Sequence, residues 1–308
     1  MRSVTEVSRA VPLRPLLKAF LPSAAAFLLT GGTLDGLYSP WALAVVSAAG
    51  VGWPGLCTLL GAGLGAFLFL DFQAGLRHTA AAILIFCANT AFCTTRFYKS
   101  PRFRPAAAAA MTLLVQSAYL FQRQPRHWAL CAAALVILYA SAYLLPALGD
   151  PDAPPETRQQ AALTAAIGLC LASYGWELSG FRVGGLLAAA LLLTAARHLS
   201  PASAAAIGAV TGLVLDLYTG RDILLAVVLC GAAAAAATPR RRARFLPPLL
   251  FCAAASAVYL LLDGPDPLPL LCQDLAGAGL YLLLPARLLP SSTVQPASAR
   301  TPAPPNAA

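Results

Sequence analysis

The chain has 308 residues, of which 59% are hydrophobic and 11% are charged. Soluble globular domains carry about 25% charged residues, so a chain this poor in charge cannot cover a water-soluble globule with polar groups. The net charge of +9 does not indicate nucleic-acid binding, because the Lys and Arg residues stand in short breaks between apolar blocks, as in the cytoplasmic loops of membrane proteins. The composition predicts an integral membrane protein embedded in the lipid bilayer.

Twelve apolar blocks follow one another along the chain, and each is a candidate membrane-spanning helix. Several are short for about 30 Å of hydrocarbon at about 1.5 Å per residue. The sequence therefore predicts an all-α protein, a polytopic transmembrane helical bundle with about 10–12 spans. The blocks cover residues 16–33, 37–52, 54–71, 76–95, 105–121, 128–146, 161–177, 181–197, 201–218, 221–237, 246–262 and 268–287.

Polar breaks divide the chain into five parts. A basic arm (1–15) precedes the first membrane half (16–146), and a polar linker (147–160) separates it from the second membrane half (161–288). The final stretch (289–308) is rich in Pro and Ala and has no apolar periodicity. We expect it to be a disordered cytoplasmic tail, because it offers no apolar face to bury.

The distribution of cations predicts the orientation in the membrane. If every block crosses the bilayer once, the three densest clusters of Lys and Arg lie on the same side, which the positive-inside rule assigns to the cytoplasm. An even number of spans then places both termini of this multi-pass cell-membrane protein in the cytoplasm. The clusters are Arg2, Arg9, Arg14 and Lys18; Arg96, Lys99, Arg102 and Arg104; and Arg240, Arg241, Arg242 and Arg244, with Arg123 and Arg126 on the opposite side.

Five ionisable residues near the ends of apolar blocks are the candidate intramembrane polar sites: Asp71, Glu177, Arg182, Asp216 and Asp274. A charged side chain at membrane depth costs about 2.5–3.5 kcal/mol on insertion scales, which marks each one as a candidate for a proton or ion path. Their positions near block ends equally fit an interfacial or structural role. Glu177 and Arg182 flank a tight three-residue break, so we expect them to pair across it.

Three glycine pairs predict close contacts between helices. A GxxxG spacing puts two glycines on the same face of a helix and lets another backbone approach it inside a membrane. These pairs are candidate packing faces, and they predict self-association of the chain. The pairs are Gly61/Gly65, Gly180/Gly184 and Gly208/Gly212.

Motifs of catalysis are missing from the sequence. It contains no HExxH, no GxGD and no P-loop pattern. Its eight cysteines form no CxxC pair, so we expect them to pack as small apolar side chains. His78, His127 and His198 stand at block edges and are expected to be ordinary interfacial residues. The sequence predicts a non-enzymatic protein with no catalytic residue, no metal and no cofactor.

Four stretches keep the order and spacing of a known membrane region. Ser39–Ala44 reads Ser-Pro-Trp-Ala-Leu-Ala, and the Gly-rich stretch Gly61–Leu70 is followed by Gly75-Leu76-Arg77. Ala204–Leu215 is a second Gly-rich stretch, and Asp274–Pro285 is an acidic-apolar segment that ends in Leu-Pro. With these stretches the chain resembles, over about residues 15–290, the membrane-spanning N-terminal region of the stage II sporulation protein E family.

The resemblance implies a membrane module that anchors and oligomerises a cytoplasmic serine phosphatase at the division septum of a spore-forming bacterium. In that family the phosphatase activates the forespore sigma factor by dephosphorylating an anti-anti-sigma protein. This sequence carries no Asp-rich metal-binding phosphatase segment, so the phosphatase activity is not implied for it. What the resemblance implies is a non-enzymatic anchor or scaffold with septal localisation, self-association and division or sporulation proteins as partners.

Two other interpretations remain open. In a membrane transporter or substrate-binding transport component, Asp71, Glu177 and Asp216 would line a polar cavity near the midplane. In a cell-shape or wall-assembly subunit, Leu213–Leu217 would match the Gly-Leu-Leu-x-Asp segment of the rod-shape determining protein D family, to which it is similar. The chain is far longer than expected of that family, which disfavours the last interpretation.

Overall fold

The computed structural model describes residues 13–121, 125–178, 181–219, 224–238, 245–262 and 267–283. Within them the chain forms twelve α-helices and one short antiparallel hairpin of strands β1 (Glu177–Leu178) and β2 (Phe181–Arg182). The prediction of an all-α protein is confirmed, and each predicted apolar block overlaps one helix. The helices are α1 (Leu13–Thr30), α2 (Pro40–Ala49), α3 (Trp53–Phe69), α4 (Phe72–Phe92), α5 (Phe103–Leu120), α6 (Pro125–Leu144), α7 (Pro155–Ala172), α8 (Val183–His198), α9 (Pro201–Thr219), α10 (Leu224–Ala237), α11 (Leu246–Leu261) and α12 (Pro267–Leu283).

Proline and glycine explain several helix boundaries. Helices α2, α7 and α9 begin at Pro40, Pro155 and Pro201, and proline fits the first helical position because no hydrogen bond is required of its nitrogen there. The reversal from α2 to α3 uses Gly50 and Gly52, whose φ angles are 71° and 83°. Side-chain-bearing residues rarely adopt such angles, so α2 ends earlier than the block 37–52 predicts.

The linker between the halves is shorter than the sequence predicts. Helix α7 begins at Pro155, inside the predicted linker 147–160. Arg158, on the first turn of α7, donates hydrogen bonds from Nη2 to the carbonyl oxygens of Asp150 (2.9 Å) and Pro151 (2.8 Å). The polar residues at the start of α7 thus belong to the helix, and the Arg158 side chain ties the preceding turn to it.

In the first half, five helices surround α2. Helix α2 packs against α1, α3, α4, α5 and α6, and eight of its ten residues, Pro40–Ser47, are buried. Helices α1 and α3 lie side by side, with Gly61 of α3 against Ser23 and Gly65 of α3 against Phe27 and Thr30. Since these contacts advance in the same direction along both chains, α1 and α3 run parallel.

In the second half, five helices surround α8 in the same way. Helix α8 packs against α7, α9, α10, α11 and α12. It runs parallel to α12, because Gly185 of α8 lies against Gln273, and Leu186 and Ala189 lie against Gly277 further along. Helices α9 and α10 form the most extensive helix pair and run antiparallel. The two halves therefore share one layout, a central helix wrapped by the other five.

The halves meet where α1 and α6 pack against α7 and at the connection between α1 and α2. Gly31 and Gly32 lie against the backbone of α7: a Cβ on Gly31 would be 3.1 Å from the Ala172 carbonyl oxygen, and a Cβ on Gly32 would be 3.2 Å from that of Gly168. The backbone N–H of Asp35 donates to the carbonyl oxygen of Leu217 at the end of α9 (3.1 Å). This contact of residues 31–35 with α7 and α9 is called the seam below.

Two helical segments are long and apolar enough to cross a membrane, judged by length and composition. Pro125–Leu148 has 24 residues and a mean hydropathy of 2.0, and Pro201–Thr219 has 19 residues and a mean hydropathy of 1.4. Seven more apolar helical segments of 10–17 residues are shorter. Two long apolar helices by themselves also fit the core of a water-soluble protein, so the character of the outer surface carries more weight.

Large apolar side chains cover much of that surface. On α3 the outward residues Leu60, Leu64 and Leu68 are 58%, 67% and 66% exposed, while Gly61 and Gly65 of the same helix are buried. Helix α3 thus keeps its smallest residues inside and its largest apolar residues outside. Large apolar residues are also exposed on other helices, among them Leu114, Val136, Val210, Leu249, Leu260 and Leu275.

Candidate functional site

The predicted Glu177–Arg182 pair is present at the end of the bundle where α7, α8 and α9 meet. Strands β1 and β2 put Glu177 opposite Arg182 in antiparallel register. Arg182 Nε lies 3.7 Å from Glu177 Oε1, and the two side chains are 38% and 65% exposed. At this distance and exposure the ion pair contributes little to stability, so both groups keep capacity for other partners.

A polar cavity of about 300 Å³ opens beside this ion pair. It is lined by Tyr174, Gly175, Glu177, Arg182, Tyr218 and Thr219. The Arg182 guanidinium carbon lies 5.1 Å from the centre of the Tyr174 ring, and the Tyr174 and Tyr218 rings meet edge to face with centroids 5.4 Å apart. The wall of the cavity thus combines one cation, one anion and two aromatic rings. This arrangement is called the hairpin pocket below.

Gly175 helps to keep the hairpin pocket open. A Cβ at this position would lie 3.0 Å from the Tyr218 hydroxyl oxygen, so any larger residue would push Tyr218 aside. Thr219, on the same wall, donates its hydroxyl proton to the carbonyl oxygens of Leu215 (3.1 Å) and Asp216 (3.2 Å). The pocket therefore rests on the last turn of α9.

Asp216 is a buried helix cap. Its side chain is 2% exposed, and its carboxylate oxygens accept hydrogen bonds from the backbone N–H groups of Leu225 (3.1 Å) and Ala226 (2.9 Å) in the first turn of α10. The first N–H groups of a helix have no partner within it and carry partial positive charge. Asp216 supplies that partner from α9, which favours the structural interpretation of this residue.

Gly208, Gly212 and Asp216 form one stripe along α9. Gly208 lies against Leu229 and Ala233 of α10, and Gly212 lies against Leu225 and Ala226. The spacing of four residues keeps all three on one face of α9. The glycines bring the two backbones together, and the carboxylate below them caps the partner helix.

The other predicted packing glycines also contact helices of the same chain. A Cβ on Gly61 would collide with the Ser23 carbonyl group of α1, and one on Gly184 would collide with Cys170 and Tyr174. Gly180 lies outside the described residues. The described GxxxG glycines are thus occupied within the chain, and the predicted self-association cannot use these faces.

The remaining two ionisable candidates have different surroundings. Asp71 is exposed and precedes the first turn of α4, where its side chain forms no capping hydrogen bond. Asp274 on α12 is 5% exposed, and its Oδ2 atom has no hydrogen-bond partner in the described structure. Of the three carboxylates assigned to a transporter cavity, Glu177 lines the hairpin pocket, Asp216 caps α10 and Asp71 is exposed on the surface.

A second cavity, in the first half, was not predicted from the sequence. It has a volume of about 10 Å³ and lies near the N-terminus of α2, lined among others by His78, Thr112 and Gln116. The prediction that His78 is an interfacial residue is wrong, because His78 is 3% exposed. His78 Nε2 and Gln116 Oε1 are buried without a hydrogen-bond partner. The sequence signal that could have predicted this cavity is the presence of His78 and Gln116 within otherwise apolar helices.

The described residues contain no group of three or more His, Cys, Asp or Glu side chains that could hold a metal ion. Their cysteines are free thiols. No protein-family model, no curated protein and no solved structure matches the chain. Arguments about its function therefore rest on the residues and contacts described above.

Proposed function

We propose that the chain is a polytopic membrane protein whose twelve described helices cross the bilayer in alternation, and that it anchors a cytoplasmic partner in the cell membrane. The observation that carries this proposal is helix α3, with glycines inside and exposed leucines outside. Burying one leucine side chain stabilises a protein in water by about 1.5–3 kcal/mol. A water-soluble fold would forgo this gain at Leu60, Leu64 and Leu68, whereas hydrocarbon tails provide an apolar environment for them.

The packing of glycines between helices also supports a membrane-embedded fold. Inside a bilayer, lipid tails are as apolar as leucine, so helices associate through close packing of small residues rather than by burying large ones. The contacts of Gly61 with Ser23 and of Gly212 with Leu225 are of this kind. Helices shorter than the hydrocarbon layer, such as α10 with 14 residues, are accommodated by local thinning of the bilayer or by flanking side chains that extend to the interface.

The cations support one orientation. We call the end of the bundle where α4 meets α5 the basic end and the opposite end, with β1 and β2, the hairpin end. In strict alternation the basic end is cytoplasmic by the positive-inside rule. Of the Lys and Arg residues whose side chains are described, Arg96, Lys99, Arg102, Arg104, Arg158 and Arg197 belong to the basic end, and Arg77, Arg126 and Arg182 to the hairpin end.

Reporter fusions test this topology. Alkaline phosphatase is active only outside the cytoplasm, so fusions truncated after Lys99 and after Gly149 are expected to be inactive. Fusions after Phe121 and after Trp176 are expected to be active, and green fluorescent protein at the same points should show the reverse pattern. Equal reporter activity at both ends, or recovery of the full chain in the soluble fraction, would overturn the proposed twelve crossings.

The anchoring role extends the resemblance to the membrane region of the stage II sporulation protein E family. The basic end presents Arg96, Lys99 and Arg102 as exposed cations, a surface suited to an acidic cytoplasmic partner. Since the described GxxxG glycines are used within the chain, self-association would have to involve the outward leucine faces. The number of copies in one assembly is measured by counting photobleaching steps of fluorescently labelled chains in a forespore septum or in nanodiscs. A strictly monomeric count, together with uniform distribution in dividing cells, would contradict the scaffold.

A further inference from the structure

The hairpin pocket combines features that recognise a small zwitterion. Arg182 and Glu177 face each other across β1 and β2 at 3.7 Å, a separation comparable to that between the ammonium and carboxylate groups of a free amino acid. Each group offers charge-assisted hydrogen bonds, which are roughly twice as strong as neutral ones. We propose that the hairpin pocket is a binding site for a free α-amino acid, with its carboxylate on Arg182 and its ammonium group on Glu177.

The size and walls of the pocket fit this class of ligand. A volume of about 300 Å³ lies at the lower end of the range of ligand pockets, about 300–1,000 Å³. Tyr174 is buried and fixed by its edge-to-face contact with Tyr218, and Arg182 lies over its ring. This stacking orients the guanidinium before a ligand arrives, which reduces the entropy lost on binding.

A second ion pair of the chain shows what the hairpin pocket adds. Arg126 Nη2 lies 3.6 Å from Asp35 Oδ2, with side chains 61% and 30% exposed. Its distance and exposure resemble those of the Glu177–Arg182 pair, and it also lies at the hairpin end. Neither Arg126 nor Asp35 lines the hairpin pocket. This pair is therefore a matched control for charge at the same end of the molecule.

The site goes beyond the proposed anchoring role, because a bound amino acid would let the membrane module respond to a small molecule. Its location outside the cytoplasm depends on the proposed topology, which the reporter fusions test separately. Ligand binding itself is measured on the solubilised chain, whatever its orientation. Failure of the topology and failure of the binding site are thus distinguishable.

The test uses the purified full chain in lipid nanodiscs, titrated with each of the common L-amino acids by isothermal calorimetry and by thermal unfolding. At least one amino acid is expected to bind and to raise the Tm. Its N-acetyl derivative, which lacks the ammonium charge, and its amide, which lacks the carboxylate, are each expected to bind about tenfold more weakly or worse.

The variants Arg182→Gln and Glu177→Gln should lower the affinity by about tenfold or more, while Arg126→Gln should leave it unchanged. The ligand-free Tm of all three variants is expected to stay within a few degrees of that of the parent chain, which separates lost binding from lost folding. No binding by any amino acid overturns the proposal. Equal binding of the N-acetyl and amide derivatives, or equal weakening by Arg126→Gln, also overturns it.

Discussion

The two halves of the molecule have the same layout but differ in their buried chemistry. In each half, five helices surround one, α2 in the first half and α8 in the second. Both described buried carboxylates, Asp216 and Asp274, lie in the second half, whereas the described buried polar groups of the first half include His78 and Gln116 but no carboxylate. One arrangement of helices is thus stabilised mainly by close packing in one half and partly by a buried charge in the other.

The central helices show the same contrast. Helix α2 buries eight of its ten residues, and helix α8 buries eight of sixteen. The other eight residues of α8 alternate with the buried ones along the helix and are mostly half-buried. The first half therefore encloses its central helix more completely than the second half does.

The largest expected effect tests whether both halves depend equally on glycine packing. Gly212→Val would put side-chain atoms into the backbone of Leu225 and Ala226, which overpacks the α9–α10 contact and should cost about 3 kcal/mol or more. Gly61→Val should do the same at Ser23 in the first half. Unfolding free energies in mixed micelles measure both. The matched control is Gly279→Val, since a Cβ there meets nothing within 4 Å. If Gly212→Val is as stable as this control, the described packing of α9 on α10 is wrong.

The next effect isolates the buried charge of the second half. Asp216→Ala leaves two N–H groups at the start of α10 without their acceptor, and we expect a loss of about 3 kcal/mol in unfolding free energy. The unfolding free energy of Asp216→Asn should lie between those of the parent chain and of Asp216→Ala, because the amide retains one acceptor oxygen. Asp71→Ala, at an exposed position without a capping hydrogen bond, should change stability by less than about 0.5 kcal/mol. Equal losses at Asp216 and Asp71 would remove the distinction between the halves.

A smaller effect concerns the cavity of the first half that His78 and Gln116 line. Its volume of about 10 Å³ is near the lower limit that holds one water molecule. We expect such a water to serve as the shared partner of His78 Nε2 and Gln116 Oε1, both of which belong to residues lining the cavity. Gln116→Leu should therefore lower the unfolding free energy by about 1 kcal/mol, because it removes one partner and leaves His78. The double variant His78→Leu/Gln116→Leu should cost less than the sum of the single changes. Strict additivity would show that the two side chains do not share a bridging molecule.

The smallest effect is expected at the two exposed ion pairs of the hairpin end. Arg126→Gln and Arg182→Gln should each change the unfolding free energy by less than about 1 kcal/mol, since solvent screens both pairs. Thermal unfolding without ligand measures this. A large loss for Arg182→Gln alone would indicate that the Glu177–Arg182 pair holds β1 and β2 together rather than serving as a binding group.

Sequence patterns were sufficient for the helices and insufficient for their contacts. The apolar blocks predicted most described helices to within four residues at each end, because hydrophobic runs bounded by Pro, Gly and charges are local signals. Helix α7 is the exception, since it begins six residues before its block. The i, i+4 spacing of Gly208 and Gly212 predicted a packing face but could not identify α10 as its partner. The Glu177–Arg182 pair was predictable because both residues flank one short turn.

Other features depend on distant parts of the chain. The role of Asp216 depends on N–H groups of α10, and a sequence does not reveal which helix end a carboxylate will meet. His78 was assigned to the interface from its place near the start of a block, but α4 begins earlier, at Phe72, which moves His78 into the helix. The hairpin pocket likewise requires α7, α8 and α9 to converge, which no local pattern encodes.

The seam between the halves has a mechanical consequence. Transporters of alternating access commonly rock one rigid bundle against another around a central site. At the seam, Gly31 and Gly32 bring backbone against the backbone of Ala172 and Gly168, and the Asp35 N–H is bonded to the Leu217 carbonyl oxygen. Rocking one half against the other would have to break this hydrogen bond and separate these backbones. We therefore expect the seam to stiffen the junction between the halves and to oppose a motion of the alternating-access kind.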